Sequence, residues 1–578
     1  MITDPVAIVA AAAKAAAARG SSMAASAMMA GGPSIPVSGD FDAIPSSVVA
    51  SREKAEAAAS DPTAAFADFM SQQAARASAA LSSAAARGAL SGSAANTLDL
   101  ALAVALEAQG NPTVYAEREA IFKDNLRKIA DLNAYAAQVS PTGYPTIAFG
   151  VTPFAHLTTE EFVDAYLKTD PSVAGGRTDA TSDNDRRRRR EQRRSLSQAK
   201  TSPVLRRSLL ADVGGLPLTC APLAGETTEV PYPFTNSPYQ ADKFDWRNLN
   251  GENLVTDVRD HNSPKQCRAF ETFAAVAAME SVMLQKYPQL DRDTLDLSEQ
   301  DLINCWPNDQ CKQASYPEVY FDFVTCEGAA FEGQVPYTGA DGNILQVCKT
   351  QPPRYDTGIR AWSYVPGNEE TMAQAINFAP IANELRVNPW MIQLYDAGVF
   401  DCLYTAPPIF PQPGNDADVA LYFAATTLVA FENSVVVTPV NQTEQVTWNV
   451  WAGKMSLGKG WGDNGYIRLR KDCSGTGSRG ALNMYTSRAN FRVLPILEDQ
   501  PGAPPPPSPG QPEPPGGPSP SPSPSSSPTP SPEPEPSPRP SPSPEPEPSP
   551  SPSPSPEPEP SPSPSPSPSP SPSPSPSP

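Results

Sequence analysis

Histidine is the scarcest chemically useful residue of this chain, because 578 residues contain only two, His156 and His261. Any chemistry that needs several imidazoles is therefore not expected. The eight cysteines do not form paired C-x-x-C motifs with flanking histidine, so we predict neither a zinc site nor any other cofactor. Disulfide bonds in an oxidising compartment suit these cysteines better.

Positive charge and long apolar runs are also lacking. The chain has 43 Lys and Arg against 63 Asp and Glu, a net charge of −20. This balance argues against a nucleic-acid partner, since phosphate contacts need a basic face. The apolar runs are short and rich in Ala, so no transmembrane segment is expected. Asp4 and Lys14 interrupt the first residues, which make a poor secretory signal.

Proline, in contrast, is abundant and unevenly distributed. More than half of the 71 prolines follow Gln500, in a Ser-Pro repeat that should form an extended polyproline II chain. Composition and periodicity predict five segments: an Ala/Ser-rich low-complexity segment at 1–95, a helical domain at 96–170, a linker with a poly-Arg run at 171–240, a globular domain at 241–497 and a disordered tail at 498–578. The run from Arg186 to Arg190 is open to three interpretations: a processing site, a nuclear or nucleic-acid signal, or a solvated linker.

Helical periodicity is strong in only part of the N-terminal half. Residues 1–95 show no sustained apolar stripe, so we expect a weakly helical or disordered chain there. Between Tyr115 and Asn133, apolar residues recur every three or four positions and predict an amphipathic helix. Thr158 or Thr159 is expected to cap a second, short helix.

One cysteine has the setting of a nucleophile. Cys267 follows a polar loop and opens an apolar segment that runs through Phe273, Val276 and Met279. A thiol at the N-terminus of a helix is exposed to the positive end of the helix dipole, which favours the thiolate. The alternative is a buried cysteine that only packs at the start of the helix.

Several motifs in the same order resemble the papain-like cysteine proteases. Phe244–Arg247 resembles the start of the mature enzyme, Leu297–Cys305 its second helix and Gly460–Leu469 a late hairpin, while five residues upstream resemble the helix of the inhibitory propeptide: Arg118, Phe122, Asn125, Ile129 and Asn133. The resemblance covers 98–166 and 241–496. It implies an α+β, papain-like two-lobed fold, with a helical lobe, a β-barrel-like lobe and a helical cathepsin-type propeptide domain. The implied reaction is proteolysis by thiol acyl transfer, with Cys267 as nucleophile.

The sequence departs from this family at the catalytic positions. No histidine follows His261; the resemblance places the catalytic histidine at Ala424, its asparagine at Met455, and His261 at the oxyanion-hole glutamine. These losses imply a pseudoenzyme with absent or strongly reduced activity. Two functions stay open. One is an atypical peptidase that uses Cys267 with help from a His261 imidazolium, and the other is a non-catalytic extracellular or wall-associated binding protein.

The resemblance also implies binding residues, disulfides and partners. Tyr316 and Pro317 match the substrate-binding loop. Three disulfides are suggested: Cys305 with Cys348, Cys311 with Cys326, and Cys402 with Cys473. The expected partners are a peptide or protein substrate and the chain's own propeptide. The Ser-Pro tail resembles plant and green-algal wall glycoproteins, which adds cell-wall glycans as partners. The expected location is extracellular or lysosomal/vacuolar.

Overall fold

A computed structural model describes the following residues of the chain: 41–86, 98–140, 143–169, 228–234, 242–263, 267–305, 311, 316–339, 354–402, 422–438, 445–473, 480–485 and 492–500. The chain divides into two units, 1–508 and 509–578. The predicted polyproline tail, the poly-Arg run and Cys348 lie outside the described residues.

The described N-terminal part, residues 41–169, is mainly helical. Its elements are α1 (Ile44–Ser60), α2 (Pro62–Ala86), α3 (Leu100–Gly110), α4 (Pro112–Val139), β1 (Ile147–Phe149), α5 (Thr159–Tyr166) and β2 (Lys168–Thr169). Asn111 ends α3 and begins α4, because its side chain accepts hydrogen bonds from the first amides of α4 and Pro112 supplies a preset helical φ. Thr158 caps α5 in a reciprocal capping box with Glu161, as the sequence predicted.

The expectation of a disordered Ala-rich N-terminus is wrong for residues 44–86, which form α1 and α2. Phe66 and Met70 of α2 are buried with Ile44 of α1 in the same apolar core as α4. Alanine and serine separate these few large side chains, so the buried face carries little hydropathy contrast. Small side chains let helices approach closely, and the helices are stabilised by this packing rather than by an obvious apolar stripe.

Helix α4 is held by the polar residues that gave it its resemblance to a propeptide. The Asn133 amide contacts both the backbone N–H and the carbonyl of Phe149 in β1, each at 2.9 Å. Asn125 donates to the carbonyls of Ala155 and Leu157. Arg118 forms a 2.6 Å ion pair with Glu161 of α5. These bonds fix β1 and α5 against α4, and so fix where the following residues enter the C-terminal part.

The C-terminal part, residues 228–500, combines three buried helices with a large sheet. Its elements are β3 (Lys243–Asp245), α6 (Phe270–Lys286), α7 (Glu299–Cys305), α8 (Pro317–Glu327), β4 (Ile359–Tyr364), α9 (Glu369–Ala375), β5 (Ile381–Val387), α10 (Pro389–Leu394), β6 (Tyr395–Phe400), β7 (Tyr422–Val436), β8 (Thr447–Lys454), β9 (Tyr466–Arg470) and β10 (Arg492–Leu497). The predicted α+β class is confirmed.

The sheet joins the two parts of the chain. Its strand order is β1-β6-β9-β8-β7-β5-β10-β4, and both β2 and β3 pair with β7. The pairings are antiparallel except for β6 with β9. Helix α6 packs on β7 and β5, and its residues 270–284 are all buried. The start of α6 therefore faces the start of β7, which is where the sequence places the candidate site.

Candidate active site

Helix α6 does not begin at Cys267. Its first helical residue is Phe270, after Ala269 as the N-cap. Cys267 lies three residues earlier, and its Sγ is bonded to the Sγ of Cys311 in a disulfide. A sulfur in a disulfide is neither a thiol nor a thiolate. The prediction of a nucleophilic thiol at Cys267 is therefore wrong for this structure.

The position that opens the helix is occupied by an aromatic ring. Phe270 is 2% exposed, and its ring stands edge-on to Phe423 of β7, with centroids 5.6 Å apart. The His261 ring lies 5.8 Å away on another side. A phenyl ring offers neither a nucleophile nor a proton donor. The helix dipole here acts on a hydrocarbon side chain instead of a thiol.

His261 is buried and uncharged. Its Nδ1 donates to the Ser456 carbonyl at 2.5 Å and lies 2.9 Å from the Ser456 hydroxyl, while Nε2 has no hydrogen-bond partner. Burial, with a smaller contribution from the nearby Lys168 charge, lowers the pKa of His261 to about 3. This low pKa disfavours the predicted His261 imidazolium, and a catalytic role of His261 stays a prediction. A neutral ring with so low a pKa is a weak base.

The register of β7 shows which residues face α6. The Thr427 hydroxyl donates to the Ala274 carbonyl in α6 at 2.9 Å, and Phe423 contacts Phe270. Pairing with β5 is continuous from residue 422 to 428, so side chains alternate regularly and Ala425 shares their face. Ala424 belongs to the opposite face. The assignment of the histidine position to Ala424 is wrong, and Ala425 is the small residue beside the helix.

Met455 does lie beside this face. A cavity of about 10 Å³ between α6, β7 and β8 is lined by Met455, Ala425 and Phe273, among others. This volume holds roughly one water molecule and no part of a substrate. Met455 follows β8 directly, where a carboxamide would have to orient an imidazole, but its thioether offers only a weak acceptor.

Three buried charged residues, Glu280, Glu299 and Lys454, also line the cavity. Glu280 accepts hydrogen bonds from the Thr256 hydroxyl and from the Leu297 amide. Burial raises the pKa of both Glu280 and Glu299, whereas it lowers the pKa of Lys454 to about 8. Lys454 donates to the same Thr256 hydroxyl at 3.0 Å. These hydrogen bonds connect Glu280 of α6 to Lys454 of β8 through the Thr256 hydroxyl.

The chain's own N-terminal part covers the site. Lys168 of β2 pairs with Phe423 of β7 in the sheet, and its ammonium contacts both carboxylate oxygens of Glu271 in α6 at 3.0 and 2.8 Å. The same ammonium lies 4.9 Å from the centroid of the Phe270 ring. Arg268 donates to the Leu167 carbonyl at 3.0 Å. Residues 167–169 thus lie directly over the start of α6.

The disulfides differ in part from those the sequence suggested. Cys402 is bonded to Cys473, the suggested pair. The suggested Cys311–Cys326 pair is wrong, since Cys311 is bonded to Cys267. Cys305 and Cys326 each take part in a further disulfide. Cys348, the suggested partner of Cys305, lies outside the described residues.

The structure shows where the remaining predicted residues lie but does not test their roles. Tyr316 and Pro317 start α8 as N-cap and first helical residue, and substrate binding there stays a prediction. His156 lies in the N-terminal part, where its Nε2 contacts the Ala101 carbonyl at 2.9 Å. Within the described ranges, no group of three His, Cys, Asp or Glu could hold a metal ion. No helix in the same ranges is long and apolar enough to cross a membrane.

Two protein-family models match this chain. Residues 240–486 match the papain family cysteine protease model, and residues 110–162 match the cathepsin propeptide inhibitor domain. The first match spans the site just described, and the second spans α4, β1 and the start of α5. Helices α1 and α2 lie outside both.

Similar curated proteins include plant cysteine proteases. Probable cysteine protease RD21B of Arabidopsis thaliana is 26% identical over 64% of this chain and 60% of its own length. Senescence-specific cysteine protease SAG12 of the same plant is 26% identical over 61% of this chain and 78% of its own length. The chain thus spans less than two thirds of the first of these relatives.

Similar solved structures include proforms. The proform of the Amb a 11 cysteine protease, a ragweed pollen allergen, is 23% identical, with a TM-score of 0.41 over 66% of this chain and 89% of that one. A recombinant stem bromelain precursor is 22% identical, with a TM-score of 0.42 over 67% of this chain and 93% of that one.

Proposed function

Because this chain belongs to the papain family of cysteine proteases through residues 240–486, we propose that it is a non-catalytic member, a binding protein on a papain-like fold. One observation carries the proposal: Cys267 is bonded to Cys311, and Phe270 stands where a nucleophile would open helix α6. The family's chemistry begins with attack by a thiolate. The described residues at the start of α6 provide no thiolate.

The remaining parts of an acyl-transfer site support the same conclusion. A general base must accept a proton near neutral pH, but burial lowers the pKa of His261 to about 3. The residues of β7 that face α6 include Ala425 and Phe423, which cannot accept a proton. Loss of a nucleophile together with its base costs about 10⁶-fold in kcat in a hydrolase whose residues act as a unit. Activity at that level is negligible.

The binding role and its compartment are proposed on chemical grounds. Disulfides such as Cys402–Cys473 persist in oxidising compartments, which favours an extracellular or a lysosomal/vacuolar location. The Ser-Pro tail, residues 498–578, is the proposed attachment to cell-wall glycans. Wall-binding assays with and without residues 501–578 test that attachment, and binding unchanged by the truncation contradicts it.

The competing function is residual peptidase activity from Cys267 after its disulfide is reduced. The test treats the full-length protein with an irreversible epoxide inhibitor of thiol proteases at pH 4–8, with and without mild reductant. Peptide hydrolysis is measured in parallel. We expect neither labelling nor hydrolysis from the folded protein.

Two cysteine variants make this test specific. Cys267→Ala removes the candidate nucleophile, and Cys402→Ala is its matched control, because it also breaks one disulfide of the C-terminal part. Labelling and hydrolysis that persist in Cys402→Ala and disappear in Cys267→Ala would contradict the proposal and identify an active thiol.

A further inference from the structure

The N-terminal part contacts the C-terminal part through more than the propeptide-like segment. We propose that residues 41–169 form a permanent subunit of the folded protein, which stays bound when the chain is cut between residues 170 and 219. The proposal concerns attachment and holds whether or not catalysis is retained. Three separate contacts carry it.

The first contact is the buried ion pair over the site. The Lys168 and Glu271 side chains are 2% and 3% exposed, and the ammonium nitrogen lies 2.8 Å from the nearer carboxylate oxygen. Glu271 lies in the first turn of α6, where the helix dipole favours a negative charge. Removing one partner of a buried pair leaves an uncompensated charge, which is strongly unfavourable. The pair therefore specifies how residue 168 docks on α6, and a change of charge at either position should weaken the attachment.

The second contact is a strand pairing that needs a glycine. Residues 147–149 of β1 pair with residues 395–398 of β6. Gly398 has φ +87°, and a Cβ at that position would lie 2.4 Å from the Thr146 carbonyl oxygen. The backbone of the N-terminal part thus approaches β6 more closely than any side chain at 398 would allow.

Beside this pairing, Gln393 exchanges hydrogen bonds with the loop after β1. Its side-chain nitrogen donates to the carbonyls of Phe154 and Leu157, at 3.1 and 2.9 Å. The backbone carbonyl of Gln393 accepts a hydrogen bond from the Thr152 hydroxyl at 2.6 Å. The donors and acceptors on both sides are buried, so separation of the two parts would break several satisfied bonds at once.

The third contact comes from the segment that precedes the propeptide-like domain. Ser51 of α1 donates to Asp396 of β6 at 2.6 Å. The buried Phe41 ring lies 5.1 Å from the guanidinium of Arg468 and 5.7 Å from that of Arg247. Helix α1 therefore extends the attachment beyond the residues that match the propeptide family, 110–162.

These contacts act together because they lie on one folded segment. When one contact opens, the others hold its partners at high effective concentration, so it closes again before the segment leaves. A cut in the chain removes the covalent tether but none of the three contacts. The two pieces are therefore expected to remain one particle.

The test introduces a cleavage sequence for a specific protease between residues 170 and 219 of the full-length protein, before Cys220, so that the N-terminal piece contains no cysteine and no disulfide can join the two pieces. After complete cutting, size-exclusion chromatography and native mass spectrometry are run at pH 4.5 and pH 7.5. We expect a single particle that contains both pieces at both pH values. Separation of the wild-type pieces at either pH overturns the proposal, and leaves the proposed lack of peptidase activity untouched.

Charge variants then test the ion pair. Lys168→Glu and Glu271→Lys should each weaken the binding of the cut pieces by about 100-fold, and the double exchange should restore it. Lys168→Met, which keeps the bulk of the side chain, covers the case in which Lys168→Glu does not fold. The matched control is Lys123→Glu, which breaks an exposed pair with Glu119 within α4 and should change binding by less than about fivefold. Binding that tolerates both Lys168 variants contradicts the part of the proposal that rests on the ion pair.

Discussion

At the scale of single residues, the proposed lack of catalysis rests largely on Phe270. Its ring fills the space between α6, β7 and Lys168, where a reactive side chain would need room for a substrate. The residue is thus part of the core, with 2% exposure and an edge-on contact to Phe423. Aromatic pairs of this kind add to the stability gained from burial alone. In this structure the side chain at position 270 has a packing role.

This packing role predicts a large effect of truncation. Phe270→Ala should lower the free energy of unfolding by about 3–5 kcal/mol, because it removes a buried ring and leaves a cavity. Urea denaturation followed by tryptophan fluorescence measures the change. Val49→Ala is the control, since Val49 is 38% exposed and its truncation should cost less than about 0.5 kcal/mol. A near-neutral Phe270→Ala would mean that the ring is not packed as described.

The sequence already contained a sign of this residue's position. The resemblance to the papain-like proteases places the family's usual partner of Cys311 at Pro264, which is not a cysteine and lies three positions before Cys267. Moving the motif by three residues gives Cys311 its partner in Cys267 and brings Phe270 to the start of the helix. Local spacing alone did not require that shift, because Cys267 and Phe270 both precede an apolar run. Only the disulfide and the observed helix start distinguish the two alignments.

At the scale of elements, the apolar periodicity of the sequence predicted only a helix with a clear apolar stripe. Helix α4 was predicted from its apolar spacing, and the cap of α5 at Thr158 from its side-chain chemistry. Helices α1 and α2 were missed because many Ala and Ser residues separate the few large side chains of their buried faces. The face of β7 was misassigned because a one-residue error in a strand exchanges its two sides. The contact of α1 with β6 joins elements far apart in sequence, which no local pattern reveals.

The pairing of β1 with β6 predicts a strong effect of a single methyl group. Gly398→Ala should destabilise the protein by at least about 1 kcal/mol, because it adds a Cβ both at positive φ and 2.4 Å from the Thr146 carbonyl oxygen. Hydrogen exchange at Ile147–Phe149 should rise at the same time. Gly110→Ala, at the end of α3, is the matched control. No atom lies within 4 Å of its added Cβ, so it should be neutral or stabilising.

At the scale of the whole molecule, the interface between the two parts buries acidic groups together. Asp99, at the N-cap of α3, accepts from the Tyr166 hydroxyl at 3.0 Å. Burial raises its pKa to about 6, and it raises the pKa of Asp260 in the C-terminal part to about 7 with help from the Asp99 charge. Arg76 of α2 is the cation that opposes both shifts. The folded assembly therefore holds protons that the unfolded chain releases.

This arrangement determines the sign of the pH dependence. Both carboxyl groups have pKa values above their ordinary value of 3.8, so their contribution to stability is complete below about pH 4 and is lost as the pH rises to about 7. Asp260→Asn should remove this loss, since the neutral amide resembles a protonated carboxyl and can still accept from the Asn262 amide, which lies 3.0 Å from Asp260. The variant should match the wild type near pH 4 and exceed it by at least about 1 kcal/mol at pH 8. Urea midpoints at the two pH values measure the difference, with Asp124→Asn on the exposed face of α4 as control. A difference that is independent of pH, or larger at pH 4, would show that Asp260 is not buried beside Asp99 when the two parts are assembled.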